Sequence, residues 1–194
     1  IGIYASVDLK RWEPLSEFGP VGAWRDPIIW ECPDLFSLEV EGEPDVWKWV
    51  LIVNINPGGP AGGSGTQYFI GKFDGTQFVC DSDWPGEAAV WLDHGSDFYA
   101  GVTWSDVPES DGRRILLAWM SNWAYTLDVP TSPWRGAMTI PRSLSLRRTS
   151  AGLRLAQKPV EELGILREEP ALVFSGGSFA AAGLWLYQLG ALDA

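Results

Sequence analysis

Hydrophobic residues fall in short runs separated by turn residues, and no long stretch repeats them at the 3.6-residue period of a helix. The clearest run, Trp47 to Ile55, is rich in aromatic and β-branched residues, which predicts a buried strand. Asp74-Gly75 and Asp111-Gly112 are turn signals, and the glycine- and proline-rich stretch from Pro57 to Gly65 is predicted to be a loop. Further strands are predicted over residues 68–73, 77–80, 98–104, 114–120, 137–140, 143–148 and 153–156.

This pattern predicts an all-β fold. Many short strands with turn signals between them are typical of a sandwich, a barrel or a propeller. The strands share no repeated sequence, so the pattern alone leaves all three architectures open.

The character of the chain changes from Lys158 onward. Residues 159–169 are predicted to form one short helical turn or a linker. Residues 178–192 are apolar and rich in small side chains, and two readings remain open for them: the first piece of a second domain, or a terminal strand that closes the first domain.

Charge excludes some classes of partner. The 194 residues carry a formal net charge of -11, with 25 acidic against 14 basic side chains, so nucleic acid and anionic membranes are disfavoured as partners. No apolar run reaches the length of a membrane span. The two cysteines, Cys32 and Cys80, fit no metal spacing and leave a disulfide open, and His94 is the single histidine.

Twelve tryptophans are an unusual number for this length. Most are expected in the core, but their flat apolar faces, each with one hydrogen-bond donor, also suit stacking against sugar rings. The excess favours a carbohydrate ligand.

One acidic residue stands in a distinctive setting. Glu31 lies in the string Trp30-Glu31-Cys32-Pro33-Asp34-Leu35-Phe36, between a tryptophan and a Cys-Pro pair. Apolar neighbours such as Trp30 and Phe36 can raise the pKa of a carboxylic acid, and a glycosidase needs such an acid to protonate a leaving sugar oxygen. The alternative is that Glu31 is a polar residue at a turn.

The WECPDLF string at 30–36 resembles the acid/base motif of glycoside hydrolase family 32, the invertases, inulinases and levanases that act on β-fructosides. Four more segments resemble the family in the same order, and together they cover most of residues 3–160: IYASVDLKRW at 3–12, DHGSDFYAGVTW at 93–104, AWMSNWAY at 118–125 and PTSPWRGAMTIPRSLSL at 130–146.

The resemblance implies a partial five-bladed β-propeller. Residues 1–158 would supply about three blades of the catalytic domain, and residues 159–194 a linker and the beginning of a β-sandwich. It also implies retaining hydrolysis of fructose-containing oligo- or polysaccharides without a metal or organic cofactor, in a secreted rather than a cytoplasmic protein. Glu31 would be the acid/base, Cys32 would shape its pocket, Asp97 would hydrogen-bond near it, and Trp123 would line the sugar site.

The second carboxylate of such a mechanism is harder to place. The family's nucleophile motif, W-M-N-D-P-N-G, has no counterpart in the sequence, which would begin downstream of it. Arg25-Asp26-Pro27 spells the family's fructose-binding Arg-Asp-Pro motif, but it follows the IYASVDLKRW segment instead of preceding it. Two readings stay open: a chance match, or a substitute in which Asp26 is the second catalytic carboxylate and Arg25 binds substrate.

Two further alternatives concern the whole chain. Without a nucleophile it would be a carbohydrate-binding fragment that does not turn over substrate. Because three blades leave sheet edges exposed, two copies would also be able to complete each other as a homo-oligomer.

Overall fold

Antiparallel β-strands dominate the computed structural model, which describes residues 1–23, 29–82 and 88–166. Within these residues the strands are β1 (Gly2–Ala5), β2 (Glu13–Glu17), β3 (Ile29–Glu39), β4 (Trp47–Asn56), β5 (Gly65–Phe73), β6 (Phe78–Cys80), β7 (Tyr99–Thr103), β8 (Arg114–Met120), β9 (Ala137–Met138), β10 (Arg142–Thr149) and β11 (Gly152–Pro159). Two short 3₁₀ helices span Thr126–Asp128 and Glu161–Leu166. The predicted all-β class is confirmed.

The strands form three sheets in chain order. β1 and β2 make a two-stranded ribbon, β3-β4-β5-β6 make the second sheet, and β7-β8-β10-β11 make the third, with β9 paired to β8. A sheet of four antiparallel strands that follow one another in sequence is the unit of a propeller blade. In both larger sheets the first strand lies at one edge, and β3 contacts β7 across the gap between them.

The middle of strand β4, from Trp49 to Val53, is apolar because it is buried on both faces. Side chains alternate along a strand, so Val50 and Ile52 enter the core between the two larger sheets. Leu51 and Val53 point the other way and pack with Phe18 in a second core beside the ribbon. This burial on both faces explains why apolar and polar residues do not alternate along the strongest hydrophobic run of the sequence.

Polar contacts join the two larger sheets as well. The Asp34 carboxylate on β3 accepts a hydrogen bond from the Thr103 backbone N–H on β7, at 2.7 Å. The Tyr68 hydroxyl accepts one from the Leu155 N–H at 3.2 Å, and burial raises the pKa of this phenol. Asp34, the second carboxylate of the WECPDLF string, therefore connects two blades.

The predicted strands at 47–55 and 114–120 are present almost residue for residue, and the others agree within a few residues. The sequence pattern missed β1, β2 and β3. Strand β3 reads as a turn because Cys32-Pro33 interrupts it, and the structure accommodates this pair as a bulge between Glu31 and Asp34.

The C-terminal part is described only to Leu166. The chain divides into two compact units, 1–160 and 161–194, and the 3₁₀ helix Glu161–Leu166 begins the second. The predicted domain boundary after residue 158 stays a prediction, and the apolar stretch 178–192 lies outside the described residues. No helix in the described part of the chain has the length and apolar character needed to cross a membrane.

The tryptophans depart from expectation. None of those in the described ranges is fully buried, and five of them, Trp12, Trp47, Trp104, Trp123 and Trp134, expose about half of their surface or more. For the tryptophans in the described ranges, the expectation that most lie in the core is therefore wrong. Their bulk and N–H group make complete burial rare, and aliphatic side chains and phenylalanine fill the two cores instead.

The bond between Asp34 and Thr103 yields a stability test. Replacing Asp34 with Ala leaves the poorly exposed Thr103 N–H without its acceptor, and we expect a loss of about 1–3 kcal/mol in the free energy of unfolding. Asp34→Asn keeps an acceptor oxygen at the same place and should lose less. Chemical denaturation of the two variants makes the comparison, and equal stability of Asp34→Ala and the parent would contradict the role of this bond.

The two cysteines are free and differ in exposure, which can be measured by thiol labelling. Cys32 is exposed, whereas burial, reinforced by the charge of Asp81, raises the pKa of Cys80 to about 11. At pH 8 about one Cys80 in a thousand is then a thiolate. With Ellman's reagent we expect one fast thiol, which Cys32→Ser removes. Two equally fast thiols would contradict this environment for Cys80.

Candidate active site

Glu31 occupies the position just before a break in the strand ladder. It pairs with Asn54 of β4, and the pairing resumes only at Asp34. Cys32, within the break, has a positive φ of 45°, a conformation uncommon for residues other than glycine. Pro33 has no N–H to offer a neighbouring strand, so a bulge is the conformation compatible with this sequence. Because Glu31 lies opposite Asn54 and Asp34 lies opposite Ile52, the bulge places these two side chains on the same face of β3 although they are three positions apart.

A second bulge lies on the facing strand. Tyr99 begins β7, the pairing with β8 shifts between Tyr99 and Val102, and Ala100 has a positive φ of 51°. The Tyr99 hydroxyl donates a short hydrogen bond to Oε2 of Glu31. The two irregular strand starts therefore meet at one contact between a phenol and a carboxylate.

The chemistry of this contact assigns the donor. Burial raises the pKa of Tyr99, and the hydrogen bond to Glu31 raises it further. The phenol therefore stays protonated at physiological pH, and its O–H is the hydrogen-bond donor to Glu31. The other oxygen of Glu31, Oε1, has no hydrogen-bond partner within the described residues, and the residue is exposed. One oxygen is fixed while the other is open to a ligand.

A buried amide supports the bulge at Glu31. The Asn54 side chain is fully buried and donates from Nδ2 to the Cys32 carbonyl at 3.1 Å. Its Oδ1 accepts a hydrogen bond from Thr66 Oγ1 at 2.6 Å, and Thr66 Oγ1 lies 3.5 Å from the Phe98 carbonyl oxygen. This buried network connects the backbone after Glu31 with the backbone before Tyr99.

Aromatic rings extend from Tyr99 to the surface. Tyr99 meets Trp119 edge to face at 6.4 Å between ring centroids, and Trp119 meets Trp123 in the same manner at 5.4 Å. Trp123 is half exposed. The row of rings leads from the buried Tyr99 to an accessible indole, on which a sugar ring can stack.

Asn122 fixes the loops around this row. It is buried, and its Nδ2 donates to the carbonyls of Gly62 at 3.0 Å and Ser96 at 2.8 Å. Its Oδ1 accepts from the Ser64 N–H at 3.1 Å. Gly63 has a positive φ, and a Cβ there would lie 2.0 Å from Asn122 Oδ1. The glycine-rich loop thus wraps closely around one amide and is held next to Trp123.

Asp97 has a different partner from the one expected. It is exposed and accepts a short hydrogen bond from the Tyr125 hydroxyl, whose pKa is raised by burial and by this bond. The hydrogen bond to Glu31 comes from Tyr99, two residues further along. Asp97 therefore lies at the edge of the site with Tyr125, and a role in substrate binding stays a prediction.

The expected apolar walls around Glu31 are wrong in two respects. Trp30 is adjacent in the strand, so it points to the opposite face, where it packs against Phe18 and Phe69. Phe36 is buried in the core between the larger sheets. The neighbour that Glu31 does have, Tyr99, was not singled out by the sequence, and neither were the buried amides.

The remaining predicted site residues are not placed against Glu31 by a contact. Cys32 is exposed on the bulge, and its carbonyl accepts a hydrogen bond from Asn54. A role of its thiol in shaping the pocket stays a prediction. Arg25 and Asp26 lie outside the described residues, so their roles stay predictions. No cluster of three or more His, Cys, Asp or Glu side chains suited to a metal ion occurs in residues 1–23, 29–82 and 88–166.

Comparison with known proteins identifies close relatives. The levanase of Bacillus subtilis (strain 168) is 51% identical over 165 residues, which are 85% of this chain and 24% of the levanase. The extracellular exo-inulinase inuE of Aspergillus niger is 46% identical over 166 residues, 83% of this chain and 30% of the relative. The chain therefore spans about a quarter to a third of the length of these relatives.

Solved structures agree with the fold. The crystal structure of exo-inulinase from Aspergillus awamori matches with a TM-score of 0.80 at 40% identity, over 89% of this chain and 33% of that one. A fructofuranosidase from Schwanniomyces occidentalis complexed with fructose matches with a TM-score of 0.70 at 40% identity, over 82% of this chain and 30% of that one. These matches confirm the predicted partial β-propeller.

The family assignment rests on nearly the whole described chain. The model of the glycosyl hydrolases family 32 N-terminal domain matches residues 1–159, which include both larger sheets and the bulges that carry Glu31 and Tyr99. The chain therefore belongs to glycoside hydrolase family 32.

Proposed function

We propose that this chain supplies the acid/base carboxylate of a β-fructosidase that hydrolyses terminal β-fructofuranosyl units of sucrose, inulin or levan with retention of configuration. The observation that carries the proposal is the state of Glu31: one oxygen is fixed by a protonated Tyr99, and the other is open on an exposed bulge. Relatives named levanase and exo-inulinase support fructans as the substrate class.

Glu31 acts twice in this mechanism. Its carboxylic acid first gives a proton to the glycosidic oxygen as the bond to the fructose anomeric carbon breaks and a second carboxylate bonds to that carbon. The Glu31 carboxylate then takes a proton from water, which attacks the anomeric carbon and releases fructose and the second carboxylate. Oε1 is the oxygen open to both transfers, while Tyr99 positions the group through Oε2.

The second carboxylate has to stand about 5–5.5 Å from Glu31 in a retaining mechanism. Asp26 is the candidate within this chain, with Arg25 beside it as a substrate-binding cation. If Asp26 is not the nucleophile, a residue from outside this chain has to provide it.

The substrate side of the site consists of aromatic rings and hydrogen-bonding groups. Trp123 offers a half-exposed ring for stacking, and Asp97 with Tyr125 offers hydrogen-bonding groups near it. These groups suit an uncharged polyol such as a fructosyl unit. Because relatives are named extracellular exo-inulinases, we also propose an extracellular location.

A second candidate function follows from the absence of a W-M-N-D-P-N-G string in the sequence. Without a nucleophile, the Glu31 and Trp123 region would bind fructosides and not hydrolyse them. Inulin or sucrose turnover by the purified chain separates the two functions, since binding without release of fructose supports the second.

Replacing Glu31 with Gln tests the acid/base role. The amide cannot transfer the proton, so we expect kcat for sucrose to fall by roughly 10²–10⁴-fold. Release of nitrophenol from a nitrophenyl fructoside should fall much less in the first turnover, because that leaving group needs little protonation. Fructose and nitrophenol release are the measurements.

A matched control for this substitution is Glu13→Gln, which removes an exposed carboxylate on β2 and should leave both rates unchanged. Full sucrose activity in Glu31→Gln would remove Glu31 from the mechanism. An equal loss on both substrates would point to a structural role instead of proton transfer.

Tyr99→Phe tests the positioning of Glu31. Loss of the phenol donor frees Oε2 and leaves the Glu31 side chain without its positioning contact, so we expect kcat to fall about tenfold with little change in KM. The exposed Tyr4→Phe is the control. An unchanged kcat in Tyr99→Phe would show that the hydroxyl does not position Glu31.

A further inference from the structure

A second cleft opens at the other end of the strands that carry the active site. It has a volume of about 420 Å³, and its lining includes Trp47, Trp104, Glu39, Asp106, Arg113 and Ser145; we call it the Trp47–Trp104 cleft. Glu39 ends β3, eight positions beyond Glu31, which corresponds to about 25 Å of extended strand. The cleft is therefore separate from the candidate active site.

The two tryptophans are exposed in spite of their apolar rings. Trp47 exposes 59% and Trp104 exposes 49% of its surface. They come from different sheets, since Trp47 begins β4 and Trp104 directly follows β7. Two indoles that line one cleft offer apolar faces and N–H donors to the same ligand.

Hydrogen bonds fix the backbone of Trp104. The Trp104 N–H donates to the Ile115 carbonyl at 3.0 Å, and the Trp104 carbonyl accepts from Arg114 Nη1 at 3.0 Å. The Arg114 guanidinium in turn lies 5.0 Å from the ring centre of Phe36, a core residue. Because this backbone is already ordered, a ligand that binds Trp104 does not have to order the loop, which lowers the entropic cost of binding.

Polar groups between the rings determine the ligand class. Asp106 is exposed, and its carboxylate has no hydrogen-bond partner among the residues that the structure describes. Glu39 pairs with Trp47 across the ladder and uses one carboxylate oxygen to accept from the Asp45 N–H at 2.8 Å. These acceptors suit hydroxyl donors, and the two arginines that also line the cleft are already engaged, Arg113 with Asp111 and Arg114 with the Trp104 carbonyl. The volume lies in the range of small-molecule sites.

We propose that the Trp47–Trp104 cleft is a second, non-catalytic saccharide site that binds a fructosyl segment of a polymeric substrate. The choice of a fructan as the saccharide rests on the proposed function. A second contact on the same polymer raises the local concentration of chain ends near Glu31, because binding there becomes partly intramolecular.

The test measures binding of inulin to the 194-residue chain with Glu31→Gln, so that the ligand is not consumed. Affinity electrophoresis in inulin-containing gels and titration calorimetry give affinity and stoichiometry. In the Glu31→Gln chain, a further Trp47→Ala or Trp104→Ala substitution should weaken retention by the inulin gel about tenfold. In calorimetry, the same substitution should reduce the number of inulin sites per chain from two to one. Trp12→Ala, which replaces a 54% exposed tryptophan outside the cleft, should change neither.

Asp106→Asn is the second variant, because asparagine tolerates the positive φ of 56° at this position and removes only the charged acceptor. We expect it to weaken retention about threefold. Cleft variants that stay folded by thermal unfolding and bind inulin as tightly as the parent would overturn the second site. The proposed function fails separately, if the chain with Glu31 intact releases no fructose while the cleft still binds inulin.

Discussion

Burial of apolar side chains between the β3–β6 sheet and the β7–β11 sheet is the interaction on which the rest of the structure depends. Phe36 from β3, Ile52 from β4 and Phe98 from the segment before β7 meet in this core. Their burial determines how far apart β3 and β7 lie and which of their residues face each other. Because Glu31 lies on one of these strands and Tyr99 on the other, the contact between them follows from the packing of two blades.

Buried amides add a second, more directional constraint. Asn54 and Asn122 are both almost fully inaccessible, and each satisfies its oxygen and its nitrogen with partners from other segments. An unpaired amide in such a place costs about 1–3 kcal/mol, so each network permits one arrangement of the loops that it joins. Hydrophobic packing brings the blades together, and these amides determine where the backbone next to Glu31 and Trp123 lies.

Much of the fold was accessible from the sequence because strand signals are local. The run from Trp47 to Ile55 and the run from Arg114 to Met120 carry their own pattern, and both became strands at nearly the predicted bounds. Strand β3 was not predicted, since Cys32-Pro33 is a turn signal and a bulge cannot be distinguished from a turn without the partner strand.

The arrangement of the site was harder to predict, because contacts between distant segments leave no local signal in the sequence. Glu31 could be singled out from its own motif. Tyr99 could not, because it lies 68 positions from Glu31 in the sequence and meets it only through the packing of two sheets. One signal was present in the sequence: Asn54 interrupts an otherwise apolar strand, and a buried polar side chain implies a partner. An asparagine within this apolar run therefore predicts a polar partner, and in the structure that partner is the Cys32 carbonyl in the bulge.

The two bulges show how the site is maintained against local preference. Cys32 and Ala100 both adopt a left-handed backbone conformation, which costs a residue with a Cβ about 1–2 kcal/mol. A regular strand would avoid this cost, but ordinary alternation would then place Glu31 and Asp34 on opposite faces of β3, and only one of them would face β7. The Asn54 network and the sheet core offset the strain. The strained residues directly follow the two side chains that meet, which is the arrangement expected where backbone irregularity serves to aim a functional group.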